Sequence, residues 1–328
     1  MQMSFSQDVK EELVMQIGDA RHCRLAELAA ILTYGGQLVE DKAHLLLRLQ
    51  TESHVVARKY FTLLRKTFNI NIEISVKRNK ASKEGQIYTL IIMNKDIILN
   101  IFQATKIDID DVEDGRIGSP SQLVVQNTCC KRAFIRGAFI SSGSMSNPKK
   151  SYHLEFVTED IKKAEKLKEV IFAFSIEAKI ILRKRYYVVY IKEGSQIVDL
   201  LNVMEAHVSL MSLENVRILK EMRNQVNRQV NCEAANINKT VMAASKHIDD
   251  ILYIRDNVGF GNLNEGLEDI ARLRIQHPEA SLKELGEMLL PPIGKSGVNH
   301  RLRKISVIAE YFREHKEENI NVEKRNNY

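Results

Sequence analysis

Hydrophobic residues follow two periods along the first third of the chain. At Leu25, Leu28 and Leu32 they recur at helical spacing, and the predicted helix ends at Gly35-Gly36. Within residues 70–76 they alternate with polar residues, which predicts a half-buried strand. The remaining patterns predict helices at 6–17, 54–68 and 96–103, with Ser6 as the first cap, and extended segments at 37–51 and 87–93.

The same order of elements returns in the second third of the chain, which indicates an internal duplication. Gly143 closes the second opening helix as Gly36 closes the first. A segment rich in Asp, Gly and Ser begins at residue 108 and separates the two halves. The second half is predicted to hold helices at 129–141, 160–173 and 196–204 and strands at 152–157, 176–182 and 186–192.

The last third is predicted to be helical throughout. Residues 206–262 are polar with modest apolar stripes, and an Asn/Gln-rich stretch at 224–238 is expected to interrupt them. A helix at 267–276 precedes two more helices within 281–312. Residues 316–328 have almost no apolar content and are predicted to form a disordered tail.

The segment 281–312 has the features of two helices joined by a tight turn. Ser281 and Glu284 form a predicted capping box, and Pro291-Pro292 end the first helix. Gly294 gives the turn its freedom, and Ser296 is the predicted cap of the second helix. The buried stripe of that second helix is predicted to contain Val298, Leu302, Ile305, Ala309 and Phe312.

The opposite face of this second helix is polar and basic, as a recognition helix requires. Arg and Lys bind phosphates and guanine edges, and Asn pairs with adenine. The other interpretation is a solvated helical hairpin with a charged exterior. The predicted DNA-binding residues are Lys295, Ser296, Asn299, His300, Arg301, Arg303 and Lys304.

Composition narrows the class of protein. A net charge of +6 and a pI of about 9.0 suit a polyanionic partner, although a ribosomal or structural basic protein has the same charge. None of the four cysteines has C-x-x-C spacing, so we predict no metal site, no cofactor and a buried Cys129-Cys130 pair. No apolar run is long enough for a membrane span, and the N-terminus lacks signal-peptide features, so we expect a cytoplasmic protein.

Three segments resemble the WhiA family of bacterial regulators. SLKELGEMLLPPIGKSGVNHRLRKI at 281–305 is similar to its C-terminal helix-turn-helix, and SFSQDVKEEL at 4–13 to its N-terminus. CRLAELAAILTYGG at 23–36 is similar to the first of its degenerate homing-endonuclease motifs. The duplicated αββαββα order likewise resembles the LAGLIDADG homing endonucleases.

The resemblance implies an α+β protein with a duplicated LAGLIDADG-like αββαββα domain followed by an all-α helix-turn-helix domain. We divide the chain accordingly, in order along the sequence. The segments are a first repeat with its N-terminal helix at 1–107, a linker at 108–127, a second repeat at 128–205, a helical linker at 206–262, the helix-turn-helix domain at 263–315 and the tail at 316–328.

The family comparison also predicts that nuclease chemistry is lost. In active LAGLIDADG nucleases an acidic residue just before each closing glycine holds the divalent metals that assist DNA cleavage. Here those positions are Gly35 and Ser142, and neither can anchor Mg²⁺. Thr33 and Ile140, two residues earlier in each helix, are also not acidic. We therefore predict no catalytic residues and no enzymatic activity.

In the nucleases the sheets form a DNA-binding saddle, and this chain has basic and aromatic residues at the matching hairpins. They could bind the DNA backbone, or they could belong to ordinary amphipathic hairpins with charged tips. A degenerate saddle could also bind a protein. The residues are Arg183, Lys184, Arg185, Tyr186, Tyr187, Tyr190 and Lys192 in the second half and Lys77, Arg78, Lys80 and Lys83 in the first.

The resemblance implies a sequence-specific transcriptional regulator that binds double-stranded DNA at the nucleoid. It further implies roles in sporulation in some lineages and in cell division and chromosome segregation in others. Another transcription or cell-division protein is an expected partner of the N-terminal domain. Two alternatives stay open: a protein-interaction scaffold with non-specific DNA affinity, and a residual homing endonuclease.

Overall fold

The computed structural model describes residues 4–41, 44–78, 85–109 and 115–325. The chain forms two compact units, Met1–Glu221 and Met222–Tyr328. Two of the predicted saddle bases, Lys80 and Lys83, lie outside the described residues.

The described residues in the first half of the first unit form four α-helices and one antiparallel sheet. The strand order is β1-β2-β4-β3, so β3 is an edge strand. The register is clear from pairs such as Leu49 opposite Leu90 and Leu90 opposite Ile74. Its elements are α1 Phe5–Met15, α2 Arg21–Gly35, β1 Gly36–Asp41, β2 His44–Thr51, α3 His54–Phe68, β3 Glu73–Arg78, β4 Gln86–Ile92 and α4 Lys95–Thr105.

The second half repeats this arrangement, which confirms the predicted duplication. Its sheet has the order β5-β6-β8-β7, and a short 3₁₀ helix at Gln122–Val125 leads into it. The strand β5 was missed in the sequence because it is only three residues long. The elements are α5 Thr128–Ser142, β5 Gly143–Met145, β6 Leu154–Thr158, α6 Ile161–Phe172, β7 Lys179–Arg183, β8 Tyr186–Ile191 and α7 Gly194–Met204.

The two opening helices, α2 and α5, pack against each other in the centre of this unit. A Cβ atom on Gly137 would lie 2.4 Å from the carbonyl oxygen of Glu27 and 3.0 Å from the Cβ of Ala30. Only glycine permits so close an approach of the two backbones. Small residues therefore form the contact between these two helices, and the apolar core extends from it toward both sheets.

A charged group is buried beside this helix pair. Glu27 forms ion pairs with Lys59 at 2.9 Å and with Arg136 at 3.2 Å, and all three side chains are at most 5% exposed. Arg136 also binds Glu205 at 2.7 Å. Burial lowers the pKa of Lys59 even though Glu27 acts in the opposite direction. Sequence patterns do not predict this network, because its members come from four separate segments of the chain.

Two local predictions in the first half are wrong. The cap of α1 is Ser4, whose Oγ accepts from the Gln7 amide, whereas Ser6 Oγ accepts from the amide of Met145. The alternating strand begins at Glu73, and its apolar residues are exposed, with Ile74 at 46% and Val76 at 52%. Ile74 faces the same side as buried Leu90, but it lies on an edge strand that the helices do not fully cover.

The described residues of the second unit form the larger part of a long helix and three further α-helices. Helix α8 runs without a break over His207–Asn257, so the Asn/Gln-rich stretch does not interrupt it. This segment contains neither Gly nor Pro, which are the residues that would break it. It is followed by a 3₁₀ turn at Phe260–Asn262 and by α9 Glu265–Gln276, α10 Leu282–Met288 and α11 Lys295–Arg325.

Helix α11 extends past the predicted domain end at residue 315. Residues 316–325 are helical, where the sequence indicated a disordered tail. Their low apolar content argued against a packed core, but the segment contains no Gly or Pro and carries charges of both signs. A helix that is already formed can continue through such a composition, because starting a helix is the unfavourable step. Residues 326–328 lie outside the described part of the chain.

Candidate nucleic-acid interface

The first helix of the two-helix motif begins at the predicted capping box. The Glu284 amide donates to Ser281 Oγ at 3.3 Å, and the Ser281 amide donates to the Glu284 carboxylate at 2.7 Å. These hydrogen bonds lower the pKa of Glu284, first through the backbone donor. The prediction of a capping box at this position is confirmed.

The turn after α10 folds back closely onto that helix. The Ile293 amide donates to the carbonyl oxygen of Gly286 at 3.0 Å. A Cβ atom on Gly286 would lie 2.2 Å from the Ile293 carbonyl oxygen, so no other residue fits there without movement. Sequence reasoning missed Gly286, although a glycine inside a helical pattern is a signal for close packing.

The second helix starts one residue earlier than the sequence indicated. Its first residue is Lys295, and the Val298 amide donates to the Gly294 carbonyl at 3.1 Å. Ser296 therefore lies within the first turn and is not the cap, which corrects the prediction. Because the helix begins at Lys295, the side chain of Ser296 is exposed on the outside of the first turn.

The predicted apolar stripe of α11 is the core of this unit. Val298, Leu302, Ile305 and Ala309 are each at most 1% exposed and pack with residues of α8, α9 and α10. Phe312, the last predicted member, is 37% exposed, so the buried stripe ends at Ala309. Burial of this one face leaves the opposite face of the helix at the surface.

The outer face of α11 presents most of the predicted DNA-contacting residues. Asn299 is half-buried, and no described residue forms an ion pair with Arg303 or Lys304. The pKa of the nearby His247 is lowered by burial and by the charge of Arg274, with Lys246 and Arg303 adding to the effect. The exposed members of the face are Lys295, Ser296, His300, Arg303 and Lys304.

Two bases of this region have partners inside the protein. Arg301 is half-buried and donates to the Gly266 carbonyl at 3.1 Å, which corrects the prediction that it faces outward with Arg303. Arg313 binds the buried carboxylate of Asp250 at 2.7 Å and covers the ring of Tyr253. At 100° per residue Arg301 lies at the edge of the apolar stripe of α11, and the neighbouring helix α9 brings the Gly266 carbonyl to that edge.

A third arginine, Arg274, supports the motif from inside and was missed in the sequence. It is 2% exposed and donates to the carbonyl oxygens of Pro278 at 3.2 Å and Ala280 at 2.7 Å. Burial lowers its pKa. The guanidinium thereby fixes the connection between α9 and α10. The position of Arg274 in the last turn of α9 is the sequence feature that could have predicted this role, because basic residues in the last turn of a helix bind its free carbonyl groups.

In the first unit, the helix ends that hold metal in active nucleases lack carboxylates. A Cβ atom on Gly35 would lie 3.3 Å from the Cβ of Ser141, so the two helix ends meet closely. The Ser142 hydroxyl donates back to the Ala138 carbonyl at 3.1 Å. The ammonium group of Lys163 binds the Thr33 carbonyl at 2.8 Å, so a buried cation occupies this region. Positive charge there opposes the binding of Mg²⁺.

The open face of the second sheet is less basic than its sequence indicated. Arg183, Tyr190 and Lys179 lie on one side of the sheet, but Glu155 stands opposite Tyr190 among them. Arg183 binds that carboxylate at 3.3 Å, which offsets part of its charge. Tyr187 pairs with Thr158 on the other side of the sheet and packs on the core. Arg185 donates to the hydroxyl of Tyr186 at 2.8 Å.

The prediction about cysteines also needs correction. Cys129 is exposed and only Cys130 is buried. The fold brings these two residues together with His22 and Cys23, so that one ligand atom from each lies within 4.8 Å of the others. Spacing along the chain gave no sign of this cluster because its two halves come from α2 and α5.

The fold and the C-terminal motif define the class of protein. A duplicated αββαββα unit is followed by a helical unit that contains a capped helix-turn-helix motif. Within the described residues, no helix combines the length and apolar content needed to cross a membrane.

Family models identify the same three regions. The WhiA N-terminal LAGLIDADG-like domain matches residues 21–108, the WhiA LAGLIDADG-like domain matches 131–223, and the WhiA C-terminal HTH domain matches 226–309. The chain therefore belongs to the WhiA family.

Individual relatives agree along nearly the whole chain. A protein named "Probable cell division protein WhiA" from Lachnoclostridium phytofermentans is 60% identical over 313 residues, which cover 95% of this chain and 100% of the relative. A protein of the same name from Alkaliphilus oremlandii is 48% identical and covers 97% of this chain and 100% of its own length. The crystal structure of full-length DUF199/WhiA from Thermatoga maritima is similar with a TM-score of 0.57 at 25% identity, covering 94% of this chain and 99% of that one.

Proposed function

We propose that this protein is a sequence-specific, double-stranded DNA-binding regulator of transcription that acts in cell division. The observation that carries the proposal is the outer face of α11, the second helix of the helix-turn-helix motif. Its buried stripe is fully packed, while Arg303 and Lys304 are exposed and form no ion pair with a described residue. Basic side chains without an ion-pair partner, held on a rigid helix, are well suited to bind DNA phosphates and the edges of DNA bases.

The burial of each residue of α11 indicates whether it contacts DNA or packs within the domain. Residues near the start of a recognition helix reach the edges of DNA bases. Basic residues further along the helix bind phosphates. Lys295, Ser296 and Asn299 lie in the first two turns, and Asn299 has the amide that pairs with adenine. Arg301 belongs to the packing of the domain, since its guanidinium binds Gly266.

Salt dependence measures the phosphate contacts directly. Each base that neutralises a phosphate adds roughly 0.9 to the slope of log K against log salt concentration. If Arg303 and Lys304 both bind phosphates, the double variant Arg303→Ala/Lys304→Ala lowers that slope by about 2. The matched control is Arg255→Ala/Arg272→Ala, which removes the same charge from two arginines already paired with Asp256 and Glu268. The control variant is expected to show the same slope of log K against log salt concentration as the wild type.

Genome-wide crosslinking of the protein to DNA in its host tests sequence specificity. We expect discrete peaks at promoters that disappear in the Arg303→Ala/Lys304→Ala variant and persist in the control. Broad signal, or peaks that the variant retains, would overturn the assignment of α11 as the recognition helix. That result would favour the alternative in which the protein is an interaction scaffold with non-specific DNA affinity.

The first unit acts without nuclease chemistry in this proposal. The helix ends carry Gly35 and Ser142, and Lys163 supplies a cation beside them. We therefore expect no Mg²⁺-dependent cleavage of DNA that contains the crosslinked promoter sequences. If Mg²⁺-dependent cleavage is observed, and substitutions at the helix ends that carry Gly35 and Ser142 abolish it, the result would instead support a residual homing endonuclease. The sheets remain a candidate surface for a transcription or cell-division protein.

The role in cell division is supported by the names of the relatives. The proteins from Lachnoclostridium phytofermentans and Alkaliphilus oremlandii are both named probable cell division proteins. Control of sporulation and chromosome segregation is a further part of the proposal, and it would locate the protein at the nucleoid. Cells carrying Arg303→Ala/Lys304→Ala are expected to show the division defect of a deletion strain, which microscopy of cell length measures.

A further inference from the structure

Four residues with metal-binding side chains converge at one end of the α2–α5 helix pair. His22 Nδ1 lies 3.2 Å from Cys130 Sγ and 3.4 Å from Cys23 Sγ. With Cys129 included, all four ligand atoms lie within 4.8 Å of one another. Within the described part of the chain, this is the only group of three or more such residues that could hold a metal ion.

The duplication explains why the four residues meet. Helices α2 and α5 have the same length and begin at Arg21 and Thr128. The second and third residues of α2 are therefore His22 and Cys23, and those of α5 are Cys129 and Cys130. The close packing at Gly137 brings these two first turns together.

The first turns also offer a favourable field for thiolates. Neither helix has a side-chain hydrogen bond at its N-cap, which is Ala20 in α2 and Asn127 in α5. The Cys23 amide donates to the Ala20 carbonyl at 3.1 Å, so the contribution of these helix ends comes from their dipoles, which favour negative charge near an N-terminus. Two helix ends that converge on three sulfur atoms suit a site with bound thiolates.

Without a cation, two of the thiols in this cluster disfavour ionisation. Burial, together with the neighbouring Cys129 and Cys130, raises the pKa of Cys23 to about 12. Burial and Cys129 likewise raise the pKa of Cys130. A divalent metal reverses this balance because it binds thiolates directly and releases their protons.

The donor set indicates which metal fits. Three Cys and one His are a common ligand set of structural, four-coordinate zinc sites, with Zn–S of about 2.3 Å and Zn–N of about 2.0–2.1 Å. In a tetrahedron with those bonds, ligand atoms are roughly 3.6–3.8 Å apart. The distances from His22 Nδ1 to its two sulfur neighbours are close to that value, at 3.2 and 3.4 Å. Hard cations such as Mg²⁺ prefer oxygen ligands and do not suit this site.

We propose that His22, Cys23, Cys129 and Cys130 bind one zinc-type divalent ion that joins the first turns of α2 and α5. Such a site is closed and structural, since all four positions are filled by protein. It links the two halves of the duplicated domain at the N-terminal ends of α2 and α5, whereas Gly35 and Ser142 lie at the C-terminal ends of these helices. It is independent of the DNA-binding proposal, which rests on α11.

The full-length chain without a polyhistidine tag provides the test. It is purified under reducing conditions without chelators, and its zinc content is measured by inductively coupled plasma mass spectrometry. We expect about one zinc ion per chain in the wild type. After removal of zinc, added Co²⁺ is expected to give the visible absorption bands of a tetrahedral cobalt–thiolate site.

The variants Cys129→Ser and His22→Asn remove exposed ligands and leave the buried Cys130 in place. Each is expected to lose most of the bound zinc and the cobalt bands. The matched control is Cys232→Ser, which removes an exposed cysteine of α8 outside the cluster and is expected to keep both. Circular dichroism verifies that each variant is folded.

Thermal unfolding gives a second measurement that does not depend on how the protein was purified. Zinc added to the metal-free wild type is expected to raise Tm, because the ion binds the folded chain preferentially. The same addition is expected to have no effect on Cys129→Ser. Folded wild-type protein that binds neither metal, or that binds both equally in the two ligand variants, would overturn the proposal. A Cys23–Cys130 disulfide found by mass spectrometry of anaerobically prepared protein would overturn it as well.

Discussion

The buried carboxylate of Glu27 makes the first unit unusually sensitive to a single isosteric substitution. Glu27→Gln keeps the shape of the side chain and one acceptor oxygen, but it removes the negative charge between Lys59 and Arg136. The two cations are separated from the carboxylate by 2.9 and 3.2 Å and are almost fully buried. We expect the substitution to destabilise the first unit far more than an average point mutation.

The magnitude follows from these distances. At an effective dielectric constant of about 20, each ion pair at this separation is worth roughly 5–6 kcal/mol. Removal of the carboxylate also recovers a desolvation cost of several kcal/mol. The expected net loss is about 3–5 kcal/mol, which is the usual cost of breaking a buried ion pair by removing one partner.

A matched control is available in the same network. Glu205 binds the same Arg136 at 2.7 Å, but its side chain is 40% exposed. Glu205→Gln is therefore expected to cost at most about 1 kcal/mol, because water screens the pair. Replacing both Glu27 and Lys59 by Met removes a carboxylate and a cation together, and this double variant is expected to be more stable than Glu27→Gln.

The assay must report on the first unit alone, because the chain forms two units. The chain contains no Trp, so a change in intrinsic tryptophan fluorescence cannot be used. Hydrogen exchange followed by mass spectrometry of peptides from α2, α3 and α5 gives the free energy of opening in urea. Equal and small effects of Glu27→Gln and Glu205→Gln would refute the argument that burial determines the strength of this network.

Three further substitutions, together with one control, test close packing and burial. Gly137→Ala is expected to destabilise the first unit by about 1–3 kcal/mol despite the higher helix propensity of Ala, because the added Cβ would lie 2.4 Å from a backbone oxygen of α2; urea unfolding measures this. Gly286→Ala is expected to cost a similar amount in the second unit, whereas Gly261→Ala, which has open space around it, is expected to change stability by less than about 0.5 kcal/mol; equal costs would contradict the argument from the turn. Burial lowers the pKa of Lys10 to about 8, so its charge opposes folding below that pH. The folded state binds fewer protons than the unfolded state between pH 8 and about 10.5, so the contribution of Lys10 to stability rises over that window. Lys10→Met is therefore expected to raise the free energy of unfolding by about 1–2 kcal/mol at pH 7, with a gain that shrinks toward pH 10, and a gain independent of pH would contradict the assignment.

The candidate interface could be predicted from the sequence to the extent that it is local. The capping box at Ser281 and Glu284 and the apolar stripe of α11 depend on residues three or four positions apart, and both are present as predicted. The role of Arg301 could not be predicted in this way. Its partner is a carbonyl of α9, and only the packing of the two helices determines that Arg301 reaches it.

Segment composition was a weaker guide than the absence of helix-breaking residues. The polar stretch within α8 and residues 316–325 were expected to interrupt or end a helix, and both are helical. Neither segment contains Gly or Pro. A helix already nucleated by packing elsewhere extends through polar residues at little cost per residue, since nucleation is the unfavourable step.

The sequence by itself determined the order of the helices and strands apart from the short strand β5, the duplication, and the non-acidic helix ends at Gly35 and Ser142. These features depend on short-range periodicity and on residue identity, which a linear pattern contains. The tertiary structure alone decided the network around Glu27, the exposure of Ile74 on its edge strand and the meeting of His22 with three cysteines. Each of these depends on segments far apart in the chain, because side-chain partners and burial are set by the packing of elements and not by spacing along the sequence.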